Sequence, residues 1–390
     1  MDHSGKLLLE LFLIFAGGKL LAEVFERLRQ PAVVGELLAG VILGPSILAL
    51  VQPSNLTEGL AEIGAIFLLF TIGLETRPGD ILEVGGTAAL VAVVGVAVPF
   101  CLGFLYLRVI DHSIVESIFV GAALVATSVG ITARVLADAG ALSTTVARVI
   151  LGAAVLDDIL GMIVLAIVSS LSAGHVNYTS LAVVAFEAIS FSLLVVFFGS
   201  RVVGRFKPAV AKLHARNSAF VLSIVLCLGL SLASLYIGMA AIIGAFLAGL
   251  ALADYSAQYR LRENAHPIME FLSPVFFVML GAQVNLRTVA RPGLFTVMIV
   301  VCVIAIISKL IGCGLGALSL GVKDALRIGI GMVPRGEVGL IVAGVGLRLH
   351  TISDDIYTVV LVMSMVTTLF APPVLRILLA RPISRSDGAE

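Results

Sequence analysis

Residues Val146 to Leu171 form an apolar run long enough to cross a bilayer, and two adjacent carboxylates, Asp157 and Asp158, stand in its middle. A membrane-spanning helix needs roughly 20 predominantly apolar residues, and a centrally placed aspartate costs about 2.5–3.5 kcal/mol on insertion scales. A chain carries two such residues side by side only where they face protein or water, so the pair points to a route for ions or protons. A structural ion pair between helices is the plainer reading, but one partner lysine neutralises only one of the two acids.

The rest of the chain is of the same kind. It is 59% hydrophobic and 13% charged, with a mean hydropathy of +1.13, where a soluble domain is about a quarter charged. This composition predicts an all-α polytopic membrane protein. A formal net charge of zero argues against a nucleic-acid partner. Cys101, Cys227, Cys302 and Cys313 lie in apolar runs without paired spacing and are expected to be packing residues. The first apolar segment carries Glu10, Lys19 and Glu23 and lacks a basic start, so it reads as a helix and not as a cleavable signal.

Apolar runs predict thirteen transmembrane helices. They are Leu7–Leu28, Pro31–Leu50, Leu56–Leu74, Ile81–Leu107, Ile114–Leu136, Val146–Leu171, Ser180–Val203, Ala219–Ile237, Ala240–Ala253, Pro267–Val284, Gly293–Leu320, Ala325–Leu347 and Asp355–Leu379. Alternate connections then collect most of the basic residues on one side, Arg27, Arg29, Arg77, Arg134 and Arg148 among them. The other side holds Lys6, Arg108, Arg287, Arg291 and Arg348. The positive-inside rule makes the richer side cytoplasmic, with the N-terminus outside and the C-terminus inside.

An internal repeat fits this topology. Gly35-Glu-Leu-Leu-Ala-Gly40 reappears as Gly244-Ala-Phe-Leu-Ala-Gly249, and Phe67 to Gly73 resembles Val275 to Gly281 at nearly the same offset. The chain is therefore expected to be a single domain, 1–390, with two five-helix repeats: 31–172 and 239–380, joined by linking helices at 178–237 and followed by a short cytoplasmic tail, 381–390. An odd number of crossings separates the repeats, so they run in opposite directions, as in many secondary transporters.

In such folds the substrate site sits where matching helices of the two repeats are interrupted. The fifth predicted helix carries Thr127, Ser128 and Thr132 around Gly130; the twelfth carries Pro334, Arg335, Gly336 and Glu337. Hydroxyls can leave helical geometry and offer oxygens to a cation, and proline breaks the helical ladder. Arg335 and Glu337 need partners at membrane depth. So does Lys309, in the middle of the eleventh helix, for which Asp157 and Asp158 are the available acids. Ordinary helix packing at Thr127 and Ser128, or a headgroup-seeking Lys309, are the plainer alternatives.

Taken together, Ala126 to Arg134, Leu151 to Asp158, Lys309 and Pro334 to Leu340 resemble the bacterial monovalent cation:proton antiporters of the second cation:proton antiporter family, NapA-type sodium/proton antiporters in particular. The resemblance runs over nearly all of residues 7–380. It implies the NhaA-like antiporter fold, with thirteen helices, crossed discontinuous helices in a mobile core and a homodimer built through a separate domain. It also implies that Asp158 is the main sodium ligand, with Asp157 beside it, Lys309 able to bridge to Asp157, and Thr127 and Ser128 at the break. Potassium-efflux relatives append a nucleotide-binding domain, which is not expected after Glu390.

The expected protein is a transporter, not an enzyme, and it needs no cofactor. Its partners are monovalent cations, protons, membrane lipid and a second copy of itself, and its place is the bacterial cytoplasmic (inner) membrane. Desolvation favours the neutral form of a carboxylate and a nearby ammonium opposes it, so Asp158 is expected to hold either a proton or a sodium ion, possession of one excluding the other. Displacing two protons per cation, with Lys309 or Asp157 as the second carrier, makes exchange electrogenic, at about 2.3 kcal/mol per net charge per 100 mV. A potassium/proton exchanger or efflux system is the alternative. An intramembrane aspartyl protease needs its acids on separate helices, whereas neighbours on one helix point about 100 degrees apart. Among the other acids, Glu36 and Glu75 are expected near membrane edges, with Glu75 lining an entrance funnel.

Overall fold

The computed structural model describes residues 3–172, 178–210, 217–283, 294–348 and 351–380. Their regular structure is helical, as hydrocarbon demands of a chain whose backbone polar groups must be satisfied internally. The first half runs α1 (His3–Arg27), α2 (Ala32–Leu43), α3 (Asn55–Glu75), a short α4 (Pro78–Glu83), α5 (Gly85–Val109), α6 (Ile114–Ala123), α7 (Val129–Asp138) and α8 (Thr145–Ser172). After α9 (Tyr178–Val210), the second half runs α10 (Ser218–Tyr236), α11 (Ala241–Ser256), α12 (Leu261–Ala282), α13 (Leu294–Gly316), α14 (Val322–Gly331), α15 (Glu337–Arg348) and α16 (Asp354–Ala380). Seven of the described helices are long and apolar enough to cross a membrane unaided.

The helices sort into two bundles. In one, α1, α2, α3, α10, α11 and α12 pack on each other; in the other, α5 to α8 pack with α13 to α16. We call the first the scaffold and the second the core bundle. α9 leans on α11 and more lightly on α8. The boundary between bundles is formed chiefly by α7 against α2 and α3 and by α16 against α2. Outward-facing Leu20, Phe186 and Val225 are exposed, the lipid-facing pattern expected of membrane helices. Cys227, Cys302 and Cys313 are buried as expected, but Cys101 is exposed: it faces outward on α5, in an apolar groove with Phe100 and Phe104.

Glycine sets how closely the scaffold helices cross. A Cβ on Gly40 of α2 would lie 1.9 Å from the Val278 carbonyl oxygen of α12, and one on Gly281 would lie 2.0 Å from the Leu37 carbonyl oxygen. The same contact recurs between α3 and α11, where a Cβ on Gly73 would meet the Phe246 oxygen at 2.3 Å and one on Gly249 the Phe70 oxygen at 2.3 Å. Small residues at such points let backbones touch where apolar burial alone cannot drive helices together in lipid. Proline is tolerated inside α5, α12 and α16. For that reason α12 starts at Leu261, ahead of Pro267, and not at the proline as the sequence suggests. Residues 381–390, Arg287 and Arg291 lie outside the described residues.

The crossings predict opposite signs for two glycine substitutions on neighbouring helices. Gly40→Ala forces backbone apart and should lower stability by about 1–3 kcal/mol. Gly59→Ala in α3, where nothing lies within 4 Å of the added Cβ, should raise it by roughly 0.5–1 kcal/mol. Thermal unfolding of both variants in detergent, followed by size-exclusion fluorescence, measures the difference.

Candidate functional site

Two interrupted helices cross in the core bundle. Ser113 caps α6 by accepting the Glu116 amide at 3.1 Å, and α6 ends at Ala123, with five residues between it and the start of α7 at Val129. Opposite, α14 stops at Gly331 and α15 starts at Glu337, because Pro334 has no amide proton and blocks the helical ladder. The two extended segments bond to each other. The Ser128 amide donates to the Pro334 carbonyl at 2.8 Å, Thr127 Oγ1 to Met332 O at 3.2 Å, and Thr132 Oγ1 to Gly331 O at 2.6 Å. A Cβ on Gly336 would lie 2.7 Å from Ser128 Cβ, so the approach depends on glycine there. From α16, Thr367 Oγ1 accepts the Arg335 amide at 3.3 Å and Thr368 Oγ1 donates to Arg335 O at 2.6 Å.

The end of α6 presents carbonyl oxygens, the negative pole of a helix, and two buried cations meet them. Lys309 on α13 donates to Val125 O at 2.8 Å, to Gly95 O of α5 at 2.8 Å, and to Asp157 Oδ1 at 2.8 Å. Arg335 Nη1 donates to Ala126 O at 3.1 Å and Val125 O at 3.4 Å. Lys309 reaches Asp157 past α5, not by direct packing of its own helix on α8: α13 packs along α5, and α5 along α8. Gly95 makes this possible, since a Cβ there would lie 2.4 Å from Cys313 Sγ and 3.6 Å from Lys309 Nζ.

The two aspartates occupy different surroundings, as their angular separation on one helix requires. Asp157 is 1% exposed, and its Oδ2 has no hydrogen-bond partner among the described residues. Asp158 is half-buried, and its Oδ2 accepts the Ala240 amide at 3.4 Å, just before α11 of the scaffold. Asp157 thus belongs to the interior of the core bundle and Asp158 to its boundary. Two openings lie at opposite ends of α3 and α11. One, of about 280 Å3, is lined by Glu58, Glu62, Ala240 and Gln283. The other, of about 950 Å3, is lined by Glu75, Arg77, Arg260, Arg262 and His266.

Most of the residues singled out in the sequence therefore converge. Thr127, Ser128, Asp157, Lys309 and Arg335 share the crossing, with Asp158 one residue along α8 from Asp157. The Thr127 hydroxyl proton is directed to Met332 O, which leaves its lone pairs as acceptors. Glu337 opens α15, but its side chain lies outside the described residues. Glu75 lines the larger opening, paired with Arg262 Nε at 2.6 Å. Glu36, near the start of α2, is 1% exposed. A Cβ on its neighbour Gly35 would lie 2.4 Å from Leu21 O of α1, so α2 is pressed between α1 and α12 and its side chain is covered. The carbonyls of Gly95 and Val125 and the hydroxyls of Thr367 and Thr368 carry no signal in the sequence. A small cavity of about 30 Å3 lies where Arg335, Ser364 and Thr368 meet Leu37 and Gly281.

Residues 12–381 match the family model described as sodium/hydrogen exchanger, transmembrane. The high-affinity Na+/H+ antiporter NhaS3 of Synechocystis sp. is 36% identical over 411 residues, covering 95% of this chain and 89% of that protein. The Na+/H+-K+ antiporter GerN of Bacillus cereus is 33% identical over 94% of this chain and 95% of its own length. The sodium proton antiporter MjNhaP1 of Methanocaldococcus jannaschii shares 20% identity and superposes with a TM-score of 0.71, covering 97% of this chain and 96% of that one.

A double-mutant cycle tests the buried pair. Lys309→Gln leaves the Asp157 charge buried without its cation and should cost about 3–5 kcal/mol. Adding Asp157→Asn should restore most of that loss, a coupling read from thermal unfolding of the four proteins.

Proposed function

Because the chain belongs to the sodium/hydrogen exchanger family, we propose that it is a secondary transporter exchanging sodium for protons across a membrane, with Asp158 as the group for which the two compete. The observation that carries this reading is the division of labour between the aspartates. Lys309 stands 2.8 Å from Asp157, while Asp158 lies half-buried at the bundle boundary. Asp157 fixes the lysine and the α6 carbonyl end, and Asp158 receives the mobile cation. Thr127 and Ser128 supply oxygens from the break, and Arg335 brings a positive charge to the crossing.

The proposed architecture has thirteen spans, counting α6 with α7 and α14 with α15 as one crossing each, and leaving α4 as a surface turn. The glycine contacts support two inverted repeats, because α2 meets α12 as α11 meets α3. They extend the match one helix before the five-helix units: a Cβ on Gly244 would meet Leu230 O of α10 at 2.2 Å, as one on Gly35 meets Leu21 O of α1. Alternating access then comes from the core bundle moving against the scaffold, exposing Asp158 in turn to the two openings. A homodimer joined through the scaffold, residence in the bacterial inner membrane, and an N-terminus outside complete the proposal. The positive-inside excess puts the larger opening on the cytoplasmic side.

Sodium is the proposed ion, since the relatives are named Na+/H+ antiporters; the name of GerN adds potassium. Electrogenic exchange, with two protons per cation, is proposed with Lys309 or Asp157 as the second carrier.

In proteoliposomes, Asp158→Asn should abolish sodium-induced proton release; full exchange in that variant sinks the assignment. Lys309→Gln separates two roles for the lysine: exchange retained without current makes it a coupled proton carrier, and unchanged current makes it a stabiliser. A scan of sodium, lithium and potassium with a membrane-potential probe reads selectivity in the same preparation.

A further inference from the structure

Glu36, the fifth residue of α2, has no part in the exchange scheme, yet it is 1% exposed and its Oε2 lacks a hydrogen-bond partner among the described residues. Its helix cannot shift to relieve it, because Gly35 and Gly40 press α2 against the backbones of α1 and α12. The charges acting on the carboxyl come from both sides of the bundle boundary: Arg134 and Asp138 on α7 of the core, and Lys19 and Glu26 on α1 of the scaffold. Arg134 itself spans that boundary. Its Nε bonds the Asp138 carboxylate at 3.1 Å on its own helix, and its Nη1 donates to Ser273 Oγ of α12 at 3.0 Å. Close by on α7, a Cβ added to Gly130 would meet Leu69 at 3.6 Å and Phe276 at 3.7 Å, ordinary van der Waals distances with no backbone pressed against it.

We propose that Glu36 is a second proton-binding site, serving as a latch on the boundary along which the core bundle moves. Ionised, the Glu36 carboxylate attracts Arg134 and holds α7 in the position seen here; protonated, it releases that hold, leaving the Arg134–Ser273 bond and the Ala240 amide bond to Asp158 to be broken as the core bundle moves. Attraction between a carboxylate on the scaffold and a guanidinium on the core weakens as movement separates them, and across a low-dielectric boundary it is little screened by water and salt. The latch therefore makes the rate of movement depend on pH through a group separate from Asp158. It rests on the exchange reading above, since a latch acts only if the bundles move.

The test compares wild type and Glu36→Gln in proteoliposomes, measuring sodium-driven proton flux across pH and, separately, proton release on sodium binding. Gln imitates the protonated carboxyl. The variant should match wild type at the acid end and exceed it at the alkaline end, on the order of fivefold for the loss of one weakly screened charge contact, with binding-induced proton release unchanged. Ser273→Ala removes the Arg134 bond without changing a charge and should raise flux evenly across pH. Superimposable pH profiles for wild type and Glu36→Gln overturn the latch, as does loss of sodium-induced proton release in that variant, which would place Glu36 in ion coupling. If Glu36→Gln fails to fold, Glu36→Asp, which titrates but reaches less far toward Arg134, takes its place, and an unaltered alkaline flux again overturns the proposal. A wild type that exchanges nothing overturns the exchange reading and the latch with it; an exchanging wild type with an unaltered variant profile overturns the latch alone.

Discussion

A charge buried away from water must be matched where it stands, and the core bundle is built around one such match. The Lys309 ammonium makes three contacts at 2.8 Å, one to a carboxylate and two to carbonyls of different helices. Desolvating the ammonium costs several kcal/mol, and these contacts offset that cost only together. The Val125 carbonyl is available because α6 stops at Ala123, leaving oxygens that an unbroken helix would bond internally. The break in α6, the position of Asp157 and the close approach of α13 at Gly95 are therefore one requirement seen from three helices. Arg335 extends it to the second broken helix by reaching the same carbonyl end.

What keeps this arrangement in place is backbone contact more than side-chain volume. In the core bundle, a Cβ on Gly312 would lie 2.8 Å from Val94 O and one on Gly316 would lie 2.7 Å from Val91. The scaffold uses the same device where α2 crosses α12 and α3 crosses α11. Each bundle is thus internally locked, whereas at Gly130 on the boundary an added Cβ would meet only the side chains of Leu69 and Phe276, at ordinary van der Waals distances. Such a division leaves the boundary as the plane of least resistance, with Arg134 and its Ser273 bond a polar tie across it.

The sequence exposes this design unevenly, and the reason is physical. Asp157, Asp158, Lys309 and Pro334 are legible because each breaks a rule of its surroundings: a charge or a missing amide in an apolar run is costly however the chain folds, so each marks a place where something must compensate. The glycine spacing hints at a repeat but not at which helices touch: Gly40 of α2 meets α12 and Gly73 of α3 meets α11, contacts that the likeness of α2 to α11 does not itself give. Backbone acceptors have no such signature. The carbonyls of Gly95 and Val125 are common to every residue, and only the fold decides that these two face Lys309. Glu36 is legible only in part. Its position along α2 sets a depth near one end, but burial there depends on α1 and α12, which the local sequence does not encode.

Under the exchange reading, the contrast between the two acids also explains why transport need not leak. Moving a bundle across the membrane while it carries an unmatched charge incurs part of the ion's desolvation penalty. Asp157 travels with Lys309, and this pair imposes no such cost while both are ionised; in the two-proton scheme the pair gives up the second proton on the sodium leg, which then carries the net charge of electrogenic exchange. Asp158 at the boundary is neutralised whenever a proton or a sodium ion occupies it, and an occupied site crosses more easily than an ionised one. Two different cations satisfy the same condition, and neither direction of movement is favoured without one of them. Coupling then needs no separate gate for each ion; it follows from one carboxylate whose charge must be cancelled before its surroundings can change sides.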